Sequence, residues 1–157
     1  MALIGFLGLS FLVQVAASGA ASHGVGHWYL SLRRPPLTLP TDIFSAVWAI
    51  ADLALGLAAW LVWRRVDPWR LSPRPALRLW GWQIALVAVW PPVFFGLRAP
   101  AAALVVVLLL AWVSVETFRA FWRRDRLAGA LLLPPLAWLC YGAYLNIGFW
   151  WLNSTAG

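Results

Sequence analysis

Five long apolar runs fill most of the chain, and short segments rich in arginine and proline separate them. A bilayer core about 30 Å thick is crossed by roughly 20 apolar residues in an α-helix. Backbone polar groups in hydrocarbon must be satisfied within the segment, so each run is expected to be helical. The pattern predicts an all-α integral membrane protein, a single domain built as a five-transmembrane-helix bundle. The predicted spans cover about residues 2–22, 42–63, 77–97, 101–122 and 127–152.

The composition excludes the main soluble alternatives. Hydrophobic residues make up 63% of the chain and charged residues 11%. A soluble domain carries about 25% charged residues, and a disordered chain needs low hydrophobicity. The connections between the runs are too short to hold a second core, so no second domain is expected.

The positive charge lies at the ends of the apolar runs. All 12 basic residues are arginines, and the formal net charge is +7. They do not follow one surface, which argues against a nucleic-acid partner. They indicate anchoring to anionic membrane lipid, worth about 1 kcal/mol per residue. Glu116 precedes Arg119 by one helical turn, and this spacing predicts an ion pair.

The arginines also predict the orientation of the bundle. With five spans, most of them share the side of the N-terminus, and few share the side of the C-terminus. Short loops rich in arginine stay cytoplasmic, so the N-terminus is expected inside and the C-terminus outside. The first group is Arg64, Arg65, Arg70, Arg74, Arg78, Arg119, Arg123, Arg124 and Arg126, and the second is Arg33, Arg34 and Arg98.

The first run has an alternative interpretation as a secretory signal peptide. Its small residues from 16 to 22 resemble a cleavage region. A signal peptide begins with a positively charged segment, and no basic residue precedes Arg33, which favours a retained helix. If this run were cleaved, four spans would remain, with both termini outside.

Prolines predict where the helices break. The connection of residues 23–41 contains three prolines and is expected to be extended or turned. A Pro-Pro pair at 91–92 predicts a kink near residues 87–90, and a second pair at 134–135 predicts a bend in the first half of the last span.

The chain contains 13 tryptophans. Several fall at predicted span ends, where indoles anchor proteins at the headgroup level. A deep indole needs a partner for its N–H and offers a flat π face. The deep tryptophans therefore indicate either a pocket for a flat apolar ligand or packing between helices, and the sequence leaves both open. They are Trp48, Trp60, Trp80, Trp82, Trp90, Trp112 and Trp138.

Four motifs occur in order along the chain: Trp28-Tyr29-x-x-Leu32-x-x-Pro35, Phe44-x-x-x-Trp48, Gln83-x-x-x-x-x-x-Trp90-x-Pro92-Val93-Phe94-Phe95-Gly96 and Pro134-x-Leu136-x-Trp138-x-x-Tyr141-x-x-x-Leu145-Asn146. Over residues 3–153 they resemble the translocator protein or tryptophan-rich sensory protein (TspO/MBR) family. The resemblance implies a five-helix bundle, a homodimer, and a pocket under the first loop that takes porphyrins, haem or sterol-like molecules. It implies a bacterial-type member in the inner membrane, and some such members promote light-dependent porphyrin breakdown. No other cofactor and no metal is expected.

The resemblance also assigns candidate ligand-binding residues. The family's two pocket tryptophans fall on Trp48 and Trp138. Three candidates depart from the family pattern, since Leu37 replaces a loop aromatic, Asp52 a tyrosine and Val87 an asparagine. The complete candidate set is Arg34, Leu37, Trp48, Asp52, Val87, Trp90, Trp138, Tyr141, Gly142, Leu145 and Asn146.

Asp52 lies near the middle of the second span, where a carboxylate costs about 2.5–3.5 kcal/mol and usually has a function or a partner. It follows Trp48 by four residues, so the two share a helix face. We expect Asp52 to face the pocket, with Tyr141, Asn146 or water as its partner. The alternative is a role limited to hydrogen bonding between helices.

These residues support two hypotheses about function. The first is a membrane receptor or sensor that stacks a tetrapyrrole on its tryptophans, with Arg33 or Arg34 meeting a propionate because guanidinium pairs with carboxylates. The second is a membrane-embedded enzyme that acts on an isoprenoid or sterol-like substrate, with Asp52 as general acid. The sequence favours the first and leaves open whether the protein is an enzyme.

Overall fold

The computed structural model describes residues 1–24, 27–65 and 74–154. Within these residues every regular element is a helix and no strand is present, which confirms the all-α class. The elements are α1 (Ala2–Gly24), α2 (His27–Ser31), α3 (Thr41–Arg64), α4 (Arg74–Pro91) with a π-helical turn (Pro92–Gly96), α5 (Pro100–Trp122), α6 (Arg126–Ala130) and α7 (Leu133–Ser154).

Four segments of the described chain are long and apolar enough to cross a membrane. The first helix, α1, has 23 residues and contains a shorter apolar helical stretch, Ala2–Ala17. At 1.5 Å per residue, the 23 residues of α1 extend about 34 Å, which is close to the thickness of a bilayer core. The four segments are Asp42–Arg64, Arg74–Gly96, Pro100–Trp122 and Arg126–Ser154.

The five long helices form a closed ring. α1 contacts α3 and α4, α4 contacts α5, α5 contacts α7, and α7 returns to α3. Gly56 lies at the α1–α3 contact, where an added Cβ would lie 3.0 Å from Ser10 Oγ and 3.1 Å from the Phe6 carbonyl oxygen. A glycine at this position therefore lets the two helices approach closely.

Three buried clusters follow one another along the bundle. We call the end with Arg65 and Asp125 the inner end and the end with Arg33 and Asn153 the outer end. The inner apolar layer consists of Leu55, Ala58, Ala59, Leu61, Val62, Ala76, Trp80, Ile84, Phe121, Ala128 and Leu132, with Phe6 and Phe118 packed against it. The middle apolar layer consists of Val87, Val107, Leu110 and Leu139, with Val13, Trp48, Leu86, Trp90, Ala111 and Ala143 packed against it. The outer aromatic cluster consists of Phe94, Ala103, Leu145 and Phe149, with Trp28, Tyr29, Leu32, Phe44, Trp90, Val93, Phe95 and Tyr141 packed against it.

The first Pro-Pro pair changes the helix later than predicted. The sequence predicted a kink near residues 87–90, but α4 continues to Pro91 and then widens into the π-helical turn. The N–H of Leu97 donates to the carbonyl of Pro92 at 2.9 Å and closes this wider turn. Because neither proline donates a backbone hydrogen bond, the helix accommodates the defect by changing its winding after the pair.

The second Pro-Pro pair divides the last predicted span. Residues 127–152 were expected to form one bent helix, whereas the structure has α6 and α7 joined by a tight turn. The N–H of Leu132 donates to the carbonyl of Gly129 at 3.0 Å, three residues back. Pro134 and Pro135 supply no N–H groups to continue the helix of the preceding residues, so the break falls just before them.

Asp125 caps α6 and connects it to α3 at the inner end. Its carboxylate accepts hydrogen bonds from the N–H groups of Leu127 at 2.9 Å and Ala128 at 3.1 Å, which are free donors at a helix start. Arg65 Nε donates to the other carboxylate oxygen at 2.7 Å. Burial alone would raise the pKa of Asp125, but the hydrogen bonds from Ala128 and Arg65 outweigh it and hold the pKa below its ordinary value.

Two other predictions concern the charges of the inner end. Arg119 Nη1 donates to Glu116 Oε1 at 2.6 Å, which confirms the predicted ion pair. Arg70, which the sequence assigned to the same side, lies outside the described residues.

Candidate ligand pocket under the outer loop

A cavity lies in the outer half of the bundle. Its walls come from α2, the connection before α3, the start of α3, the end of α4 with its π-helical turn, and α7. The cavity volume is about 50 Å³. The lining residues are Tyr29, Thr38, Leu39, Phe44, Trp90, Phe94, Phe95, Gly142, Leu145, Asn146 and Phe149.

The aromatic walls are packed edge to face and stacked. Phe94 stacks on Trp90 at 5.3 Å between ring centroids and meets Phe95 edge-on at 4.8 Å. Tyr29 bridges Phe95 at 5.4 Å and Phe149 at 5.5 Å. Such rings hold one another in fixed orientations, so the cavity presents flat apolar faces rather than mobile chains.

Asn146 provides the buried polar group of the wall, with 1% of its surface exposed. Its Oδ1 accepts a hydrogen bond from Trp90 Nε1 at 2.9 Å, and its Nδ2 donates to the carbonyl of Pro100 at 2.8 Å. These two bonds fix the orientation of the amide and join α4, α5 and α7. The sequence placed Trp90 and Asn146 in one site, and the structure brings them into direct contact.

The outer loop, residues 33–40, closes the cavity by lying along α7. Tyr141 Oη donates to the carbonyl of Leu37 at 2.7 Å and accepts from the N–H of Leu39 at 3.2 Å. Tyr144 Oη donates to the carbonyl of Pro36 at 3.0 Å. Residues 33–40 are not helical, as their prolines predicted, and their carbonyl groups are therefore free to accept these side-chain hydrogen bonds. The prediction was wrong for the first part of the 23–41 connection, because no proline precedes Pro35 there and His27–Ser31 form the helix α2.

Two more contacts hold the start of the outer loop. The N–H of Arg33 donates to Asn153 Oδ1 at 2.9 Å, and Asn153 Nδ2 donates to the carbonyl of Arg33 at 3.1 Å. Pro35 packs against Gly148, where an added Cβ would lie 2.6 Å from the proline Cβ. The loop thus follows α7 for about three helical turns, from Asn153 to Tyr141, with Thr38 and Leu39 reaching the cavity.

The two family tryptophans lie beside the cavity in an aromatic row at the α3–α7 contact. Ring centroids are 6.3 Å apart for Trp48 and Phe44, 5.4 Å for Phe44 and Trp138, and 4.9 Å for Trp138 and Tyr141. Phe44 lines the cavity, whereas Trp48 and Trp138 do not. Trp138 Nε1 is buried and has no hydrogen-bond partner in the described part of the chain, so a polar group entering here would find a free donor.

The other candidates are distributed around the cavity. Leu37 is 80% exposed and has a left-handed φ of 63°, so its side chain points away from the site. The Arg34 guanidinium lies 5.8 Å from the ring centroid of Tyr29, at the mouth. Val87 belongs to the middle apolar layer. Gly142 and Leu145 line the cavity as expected from the family motif.

Asp52 was expected to face the pocket but does not line the cavity. It is 3% exposed, and its Oδ2 has no hydrogen-bond partner among the residues that the structure describes. Tyr141 and Asn146, named as its partners, use their polar atoms on the loop and on Trp90. The spacing correctly placed Asp52 one turn from Trp48, but that turn leads toward the inner end, away from the cavity.

Sequence reasoning missed much of the aromatic wall. Tyr29, Phe44 and Phe94 lie within the family motifs and line the cavity, yet none of them was among the candidate residues. Phe149 follows Leu145 by one helical turn, and that spacing could have identified it.

The geometry suits an apolar ligand with a flat ring system. Pockets for small molecules typically measure about 300–1,000 Å³, so the outer loop must move before a large ligand enters. Among the described residues, no group of three His, Cys, Asp or Glu side chains could hold a metal ion. The fold and the cavity define a small polytopic membrane protein with a pocket between its helices.

The chain belongs to the TspO/MBR family, whose sequence model matches residues 6–152. It is therefore an integral membrane protein, as the apolar helices indicate.

Relatives in animals and bacteria agree with this assignment. The chain is 33% identical to "Translocator protein" of Ovis aries over 151 residues, which cover 96% of this chain and 83% of that protein. It is 36% identical to "Translocator protein" of Homo sapiens over 129 residues, 82% of this chain and 76% of that protein. It is 34% identical to "Tryptophan-rich sensory protein" of Cereibacter sphaeroides over 148 residues, 91% of this chain and 90% of that protein.

Proposed function

We propose that the protein is a receptor or sensor that binds a tetrapyrrole, a porphyrin or haem, in the cavity under the outer loop. The observation that carries the proposal is the cavity itself, with flat walls formed by Tyr29, Phe44, Trp90 and Phe94, under the outer loop. A macrocycle offers two large π faces, and aromatic side chains stack on such faces. The name of the bacterial relative, "Tryptophan-rich sensory protein", supports a sensory role.

Ligand entry requires the outer loop to leave α7. The ligand then takes the space of Thr38 and Leu39 and reaches the aromatic row through Phe44. Trp138 gains a partner for its free N–H. Arg34, at the mouth of the cavity, pairs with a propionate, because guanidinium and carboxylate form strong charge-assisted hydrogen bonds.

The test is a titration of the purified, detergent-solubilised protein with protoporphyrin IX in the dark, followed by tryptophan quenching and the Soret band. We expect saturable binding that Trp138→Phe weakens at least several-fold. Trp112→Phe is the matched control, since Trp112 is 65% exposed on α5 and does not line the cavity. Equal affinity of the wild type and Trp138→Phe would remove Trp138 from the site, and the absence of saturable binding would reject the tetrapyrrole.

Illumination of the saturated complex extends the same experiment. Light-dependent breakdown of the porphyrin predicts loss of the Soret band in the wild type and slower loss in Trp138→Phe at equal occupancy. No observation favours the enzymatic alternative with Asp52 as general acid, because Asp52 does not line the cavity.

We also propose five spans, with α1 retained as the first, in a homodimer of a bacterial inner membrane. The arginines of the inner end, including Arg65, Arg119 and Arg126, support a cytoplasmic inner end. Reporter fusions at both termini test this orientation. A reporter that works only in the cytoplasm is expected to be active at the N-terminus, and a reporter that works only outside the membrane is expected to be active at the C-terminus. Light scattering of the detergent complex tests the dimer.

A further inference from the structure

Among the described residues, four buried polar side chains have an oxygen atom without a hydrogen-bond partner. They come from four different helices, and at most 4% of each residue is exposed. We call this group the polar layer. The oxygens are Ser10 Oγ on α1, Asp52 Oδ2 on α3, Gln83 Oε1 on α4 and Ser114 Oγ on α5.

Packing against the middle apolar layer places two of these side chains at one depth. Val87 on α4 and Leu110 on α5 belong to that layer. Gln83 precedes Val87 by four residues, and Ser114 follows Leu110 by four. Because α4 and α5 run in opposite directions, both steps are one turn toward the inner end on the same helix face. Gln83 and Ser114 therefore lie at the same depth, on the faces that carry Val87 and Leu110.

The other two side chains reach the same depth by the same step. Val13 and Trp48 also pack against the middle apolar layer. Ser10 lies one turn further toward the inner end than Val13, and Asp52 one turn further than Trp48. Ser10 Oγ packs beside Gly56, where an added Cβ would lie 3.0 Å from it, and Asp52 is the next residue of that helix face toward the outer end.

The polar layer is enclosed by apolar layers on both sides. One turn toward the inner end, Leu55, Trp80 and Phe6 belong to or pack against the inner apolar layer. Unpaired polar atoms in such surroundings are costly. A ligand bound among these oxygens would remove that cost.

No charged side chain of the described residues compensates Asp52. The part of α1 that packs here carries no Asp, Glu, Lys or Arg. On α5, Glu116 pairs with Arg119 nearer the inner end, and on α7 Tyr141 bonds the outer loop. Arginines on α4 lie in its first turns.

We infer that the polar layer binds one monovalent metal cation, for which sodium is the probe. Carboxylate, amide and hydroxyl oxygens are the ligands that hard cations prefer. One carboxylate balances one positive charge, and an acidic residue inside a membrane commonly marks an ion site. Divalent cation sites use more acidic ligands, and the described residues contain no group of three His, Cys, Asp or Glu side chains that could hold a metal ion. The middle apolar layer separates this site from the aromatic cavity, so it does not depend on the proposed tetrapyrrole function.

The test compares thermal unfolding of the full-length protein in detergent in sodium chloride and in choline chloride at equal ionic strength. We expect sodium to raise the melting temperature saturably, because a ligand that binds only the folded state stabilises it. Asp52→Asn keeps the shape and removes the charge, and it is expected to abolish the difference between the two salts. Ser114→Ala is expected to weaken the sodium response several-fold.

Ser31→Ala is the matched control for Ser114→Ala. The Ser31 hydroxyl donates to the carbonyl of Trp28 at 2.7 Å in α2, outside the polar layer. The control is expected to keep the full sodium response. Equal melting temperatures of the wild type in the two salts, or an unchanged sodium response in Asp52→Asn, would overturn the inference.

Equilibrium binding of radioactive sodium to the wild type decides the matter if Asp52→Asn does not fold. Saturable binding supports a metal cation site if unlabelled sodium or potassium displaces the radioactive sodium and choline does not. The absence of saturable binding overturns it, whatever the variants do.

Discussion

The outer and inner halves of the bundle fill the space between their helices with different side chains. In the outer half, large aromatic rings leave a cavity, and the loop that covers it is held by side chains of α7 such as Tyr141 and Asn153. In the inner half, small residues of α3 such as Ala58 and Ala59 are fully buried, and Asp125 joins α6 to α3. We therefore expect the outer half to open more readily than the inner half.

Two glycines, Gly129 at the inner end and Gly148 at the outer end, test the difference between the halves most directly. At Gly129, an added Cβ would lie 2.8 Å from the backbone Cα of Trp122, which cannot move without shifting α5. Gly129→Ala is expected to lower the free energy of unfolding by about 1–3 kcal/mol, the usual cost of overpacking a core. Denaturation in mixed micelles measures this loss.

Gly148→Ala is the matched variant at the outer end. Its added Cβ would meet the ring of Pro35 at 2.6 Å, but the outer loop can move away. We expect less than half the loss of stability seen in Gly129→Ala, with faster ligand association instead. Equal losses for the two alanine variants would contradict the distinction between a closed inner half and an opening outer half.

The second effect in size concerns the cap of α6. Asp125→Ala removes the acceptor for the N–H groups of Leu127 and Ala128, and loss of such a cap costs about 0.5–2 kcal/mol. Arg65→Ala is expected to cost less, because the Arg65 side chain is 60% exposed and exposed pairs contribute little. The same denaturation measures both variants. A larger loss of stability in Arg65→Ala than in Asp125→Ala would show that the ion pair, and not the helix cap, supplies most of the stabilisation.

Acid gives a smaller, graded form of the same effect. The pKa of Asp125 is lower in the folded protein than in the unfolded chain, where it has its ordinary value. Its contribution to stability is therefore complete above that ordinary value and is lost as the pH falls through the lower folded-state pKa. We expect the wild type to lose stability in this acidic range more steeply than Asp125→Asn, as followed by melting temperature. Parallel pH profiles of the two proteins would remove Asp125 as the source.

The sequence predicts helices and partners within one segment better than it predicts the cavity. Apolar runs set the helices because hydrocarbon allows few other structures, and the i,i+3 spacing identified the pair of Glu116 and Arg119. The cavity depends on contacts between distant segments, such as that of Tyr29 with Phe149, and no local pattern encodes them. Asp52 shows the limit most clearly, because its spacing from Trp48 fixed a shared helix face but not what that face meets.

The smallest expected effect concerns the hydroxyl groups that hold the outer loop. Tyr141→Phe keeps the ring beside Trp138 and removes the hydrogen bonds to the backbone of Leu37 and Leu39. A single hydrogen bond contributes about 0.5–1.5 kcal/mol, so losing the one bond of Tyr144 is expected to accelerate loop opening and ligand association roughly 2- to 10-fold, and losing the two bonds of Tyr141 more than that. Tyr144→Phe removes one bond instead of two and is expected to have the weaker effect. Stopped-flow quenching by protoporphyrin IX measures both rates. If both variants associate at the wild-type rate, the ligand enters by another route, and the opening half of the bundle must be sought between the helices rather than at the loop.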